Sequence, residues 1–209
     1  MKRVLLALAL CVPVAAFAEG AAQDPFVKGD AAAGATKAAV CGACHGAGGN
    51  GGVNPEWPKL AAQGSKYVHN QLVAFKGGKR ANPVMAGQAA ALSDQDMADL
   101  SAYFAAQPAV PGVASEASVP VAQKLYRAGD AARGLAACSA CHGPTGAGNP
   151  AAAYPHIGGQ NSGYVATQLR AYRAGERGKE GNGLMMAAVA KHLTDAEIDA
   201  LSSYLSGLQ

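Results

Sequence analysis

The hexapeptide Cys41-Gly42-Ala43-Cys44-His45-Gly46 returns 97 residues later as Cys138-Ser139-Ala140-Cys141-His142-Gly143. The match extends in the same register: Trp57-Pro58 falls on Tyr154-Pro155, Leu60 on Ile157, Gln63 on Gln160, Tyr67 on Tyr164, Gln71-Leu72 on Gln168-Leu169 and Phe75-Lys76 on Tyr172-Arg173. After a shift of four residues it resumes with Leu92-Ser93-Asp94 on Leu193-Thr194-Asp195 and Tyr103 on Tyr204. A chain built from two copies of one unit must fold each copy around the same core chemistry. Each copy is about 90 residues, a size that buries little more than about 60% of its unfolded surface and is marginal without help.

Neither copy shows a convincing strand. Each reads as three helices: one running into the cysteine pair (30–43 and 130–140), one N-capped by Ser65 or Ser162 with apolar residues at helical spacing, and one opening at Ser93 or Thr194. The last begins with a capping box and places acidic residues at the positive end of the helix dipole. The expected fold is all-α, with two tandem domains at 19–107 and 122–209 joined by a Pro/Gly-containing linker, 108–121. Residues 1–18 read as a cleaved signal peptide: Lys2 and Arg3, an apolar run, then Ala16-Phe17-Ala18. Without Lys2 and Arg3 the net charge falls from +3 to +1, which gives no support to nucleic-acid binding.

Cys11 leaves with the leader, and the remaining four cysteines are spaced for something other than disulfides. Two thiols three apart at a helix end lie on one side, where they can add across the two vinyl groups of a haem, and the next residue, a histidine, can then bind the iron. Cys41 and Cys44 would carry one haem with His45 as proximal ligand; Cys138, Cys141 and His142 would carry the second. A zinc site would need a second ligand pair at short spacing, which neither copy has, and a thioredoxin-like pair would need a βαβ context. Haem also supplies the apolar mass missing from a chain with 27 glycines and 6% aromatic residues.

A sixth ligand recurs in the repeat. Met85 lies seven residues before Leu92, and Met186 lies seven before the matched Leu193, in the loops expected to precede the last helices; Met185 is the alternative to Met186. The other histidines do not recur: His69 falls on Ala166, His156 on Lys59 and His192 on Ala91. Lys76, Lys79, Arg80, Arg170, Arg173 and Arg177 read mostly as a solvated helix end, with one or two facing haem propionates.

On Val40 through Gly46, Pro58-Lys59-Leu60, Leu92 through Asp96, Gly158-Gly159-Gln160 and Val189-Ala190-Lys191, the chain resembles the di-haem cytochrome c4 family over nearly its whole mature length. The resemblance implies two class I cytochrome c domains with covalent haem c and His/Met ligation. It further implies a periplasmic carrier of single electrons, with quinol-cytochrome c reductase as donor and a terminal oxidase as acceptor, loosely associated with the membrane. No serine, lysine or carboxylate constellation suggests turnover, so the chain is expected not to be an enzyme. Two alternatives differ in class. A di-haem peroxidase would leave one iron open and make the halves unlike; a haem-bearing subunit of a larger membrane redox complex would differ in assembly size.

Overall fold

The computed structural model describes residues 29–209; the leader expected at 1–18 lies outside them. Among the described residues the only β pairing is two isolated bridges, Asp130 with Leu135 and Asn149 with Tyr154. In the first half, α1 (Ala31–His45) and α2 (Ser65–Lys76) pack on α4 (Asp94–Ala105), and α3 (Pro83–Ala90) packs on α2. In the second, α5 (Val119–Ala128) and α7 (Ser162–Arg173) pack on α9 (Asp195–Ser206), α8 (Asn182–Ala190) packs on α7, and the one-turn α6 (Ser139–His142) lies against α5.

The last helices start as expected. Ser93 and Asp96, and Thr194 and Glu197, form reciprocal capping boxes. A cation from the segment leading into each cysteine pair reinforces the acidic partner: Lys37 lies 2.8 Å from Asp96, and Arg133 lies 2.6 Å from Glu197.

The entry to the cysteine pair differs between the copies, which corrects the expectation of a helix over 130–140. Asp30 and Asp130 are 100 residues apart, whereas the cysteines are 97 apart, so the second copy lacks nearly one helical turn. Asp30 caps α1 by accepting from the N–H groups of Ala32 and Ala33. Gly34, inside α1, lets the helix ride directly on α4: a Cβ there would sit 2.1 Å from the Asp99 carbonyl oxygen. Its counterpart Gly134 adopts a left-handed φ of 69° and ends a short 3₁₀ turn, Ala131–Arg133. The helix that supports this half is instead α5, which begins inside the segment read as linker.

Two smaller corrections follow. Gly64 and Asn161, not Ser65 and Ser162, stand at the N-cap positions of α2 and α7, and neither makes a side-chain cap bond. Their N–H groups are held instead by Oε1 of Gln63 and Gln160. Met85 and Met186 lie on helices rather than loops; Asn82 accepts from the Met85 N–H and Pro83 occupies the first turn, so α3 starts there.

The two cores are unequal. In the second half Tyr126, Ile198, Leu201, Tyr204 and Leu205 close around Leu125, Leu135 and Leu193. In the first, the contiguous buried cluster is Ala38, Leu100 and Phe104, with Cys41, Leu60, Leu92 and Tyr103 packed against it. The segment between the halves is fixed at both ends. Asn50 holds Pro108 O and the Val110 N–H, while Ser203 and Ser206 hold Ser115 and Val113.

Candidate haem-binding sites

Helix α1 places Cys41 and Cys44 one turn apart on one face and ends on His45, whose following residue, Gly46, caps it by donating to Gly42 O. In the second half α6 does the same with one turn: Cys138 stands at its N-cap position, Cys141 and His142 at its end. All four thiols are free. Burial pushes the Cys41 thiol up and that of Cys138 up to about 11, so both are protonated at neutral pH.

The two histidines are buried in matching ways. His45 Nδ1–H donates to Pro58 O at 2.8 Å, and His142 Nδ1–H donates to Pro155 O at 2.9 Å. A carbonyl can only accept, so the proton is placed on Nδ1 and the Nε2 lone pair is left for a metal. Burial, outweighing the carbonyl bond, holds both imidazoles below their usual pKa and therefore neutral.

The methionines lie on α3 and α8. Met85 and Met186 are each one helical turn before a fully buried alanine, Ala89 or Ala190, and each is half-buried. Met185 differs: it is 45% exposed, and its Sδ accepts from the Tyr154 hydroxyl at 3.9 Å. The helices bearing the methionines also display Val84 and Leu184 to the outside, and Val40 on α1 is bare as well. Large aliphatics at sites flanking two thiols, a neutral imidazole and a thioether suit a flat apolar macrocycle with an iron at its centre. Among the described residues no three His, Cys, Asp or Glu side chains converge as a bare metal site.

Of the remaining candidates, His69 pairs with Asp94 at 3.0 Å and His192 is exposed. The Trp57 carbonyl accepts from Asn161 Nδ2 of the other half. Two arginines depart from the expectation of a solvated helix end. Arg80 donates to Gln71, Tyr164 and Gln168, and Arg177 to Gln168, Tyr67 and Gln71, so each spans both halves. Arg80 stacks 4.5 Å from the Phe75 ring and Arg177 4.6 Å from that of Tyr172, the matched position. Every member of this pseudo-twofold network recurs at the offset of 97 residues, the one feature of the sequence that points to it.

Two helical halves, each presenting paired thiols and a carbonyl-held neutral histidine, define a two-domain c-type cytochrome. The Cytochrome c family matches residues 31–107 and 123–209. Cytochrome c4 of Pseudomonas aeruginosa is 44% identical over 208 residues, covering all of both chains. The structure of reduced recombinant cytochrome c4 from Pseudomonas stutzeri superposes with a TM-score of 0.83 at 43% identity, covering 87% of this chain and all of that one. A protein of Stutzerimonas stutzeri called thiosulfate dehydrogenase electron acceptor is 38% identical, covering 84% of this chain and 82% of its own. The chain belongs to the di-haem cytochrome c4 family: it is an electron carrier with two covalently bound haem c groups.

Proposed function

We propose that Cys41 and Cys44, and Cys138 and Cys141, form the thioether bonds to the two haems, that His45 and Met85 ligate the first iron, and that His142 and Met186 ligate the second. The observation that carries this reading is the twofold occurrence of a buried histidine directly after the cysteine pair, held through Nδ1 by a proline carbonyl. When bound, each haem supplies a one-electron iron couple. The protein's part is to keep the axial imidazoles neutral and oriented, to cover the macrocycle with aliphatic side chains, and to hold the two domains, proposed as 19–107 and 122–209, in fixed relation. With Met85 and Met186 as the second ligands, neither iron would be left open to a substrate, which supports a carrier over a peroxidase.

The reading places the protein in the periplasm, taking electrons from a quinol-cytochrome c reductase and delivering them to a terminal oxidase. No helix among the described residues is long and apolar enough to cross a membrane, which fits an association that is at most peripheral. A second donor class is supported by the name of the Stutzerimonas stutzeri relative: a thiosulfate-oxidising dehydrogenase. Stopped-flow mixing of the holoprotein with each partner tests both. Rapid reduction by the quinol-oxidising complex and rapid oxidation by oxidase-containing membranes support the respiratory reading. Fast reduction by the thiosulfate enzyme alone replaces its donor.

A further inference from the structure

The peptide group joining Pro58 to Lys59 is held at both ends. Its carbonyl accepts the Nδ1–H of His45 at 2.8 Å, and its N–H donates to Oε1 of Gln160, in the other domain, at 2.7 Å. The peptide group joining Pro155 to His156 repeats this arrangement with the domains exchanged. Its carbonyl accepts from His142 at 2.9 Å, and its N–H donates to Oε1 of Gln63 at 2.8 Å. Both glutamines are buried and hydrogen-bonded through both Oε1 and Nε2. Gln160 Nε2 donates to Lys59 O at 3.0 Å and Gln63 Nε2 to His156 O at 2.9 Å, while each Oε1 also accepts the N–H of the residue after its own.

An amide is conjugated, so a hydrogen bond drawn from its N–H shifts electron density onto its oxygen and makes that oxygen a stronger acceptor; such chains strengthen one another by roughly 10–30% per bond. A stronger acceptor at Nδ1–H gives the imidazole more imidazolate character, and a more basic axial ligand favours ferric iron. We propose that Gln160 and Gln63 are positioning residues that act crosswise: each sets the electron-donating strength of the histidine in the opposite domain, through one peptide group. The inference rests on the reading of His45 and His142 as iron ligands.

The test uses the holoprotein and substitutions Gln160→Leu, Gln63→Leu, Gln160→Glu and Gln63→Glu. Each haem's potential is followed by a redox titration monitored by NMR, with haem methyl signals assigned to their own domain and the proximal Nδ1–H signals recorded alongside. Gln160→Leu raises the potential of the haem on Cys41 and Cys44, moves the His45 Nδ1–H signal and leaves the haem on Cys138 and Cys141 near its wild-type value. Gln63→Leu does the converse. The glutamate variants keep the acceptor oxygen and bring the opposite haem back to, or below, the wild-type potential, which a simple interface clamp does not require. A shift confined to the substituted residue's own domain, equal shifts at both haems, or no shift overturns the proposal. A wild-type spectrum without two histidine-ligated haems overturns the ligand reading itself, before any variant is compared, and the proposal with it.

Discussion

Replacing Met186 by alanine removes the thioether from one of two irons, so the long-wavelength sulfur-to-iron charge-transfer band of the oxidised protein is expected to fall to about half its amplitude. The freed iron should bind cyanide or carbon monoxide at a stoichiometry of one per chain and show a lowered potential, while the haem paired with Met85 stays unchanged. The neighbouring substitution gives the contrast. Met185 is 45% exposed, and its sulfur accepts from the Tyr154 hydroxyl. Full burial of a methionine is worth about 1.5–3 kcal/mol, so truncating a half-exposed one costs about 1 kcal/mol, with the band intact. Visible absorbance, ligand titration and thermal melts of the two variants decide the matter. Loss of the band in Met185→Ala with retention in Met186→Ala refutes the reasoning from the matched spacing to Leu92 and Leu193.

Cys41→Ser or Cys138→Ser should leave one thioether in the altered half and destabilise that domain first, seen as a separate early transition in calorimetry; an unchanged melt contradicts it. Asp99 is held at about 2, chiefly by the hydrogen bond from Lys37, then by the Asp30 N–H and Gln95. Its unfolded value is about 3.9, so its stabilising effect is complete above about pH 4 and is lost as the pH falls through about 2; Asp99→Asn should flatten the acid limb of first-domain stability. Residues 19–209 carry a formal charge of +1 before the haem propionates are counted, so reduction by a partner should depend only weakly on ionic strength. A steep fall in rate with salt contradicts it.

What could be read from the chain was local or periodic. The capping boxes at Ser93 and Thr194 involve residues three apart, and both form. The cysteine and histidine spacing places its groups through a single turn of helix, and both turns are present. The helix expected over 130–140 failed because the deletion lies between Asp130 and Cys138, a stretch where alanine and glycine give no periodicity to show it. Asn82-Pro83 was a readable start signal for α3, since it pairs an N-cap residue with a first-turn proline. The roles of Gln63, Gln160, Arg80 and Arg177 depend on the backbone or side chains of the other domain, which no local pattern encodes. Their recurrence at one offset pointed to them without saying what they touch.

The central claim, two haems joined through two thioethers each, is tested most directly by intact mass spectrometry of the mature protein together with a pyridine haemochrome assay on the same sample. The account predicts a mass equal to the processed polypeptide plus two haems, and two haemochromes per chain with the spectrum of saturated side chains at both vinyl positions. A mass equal to the polypeptide less the hydrogens lost in forming two disulfides, or a single haem per chain, contradicts it.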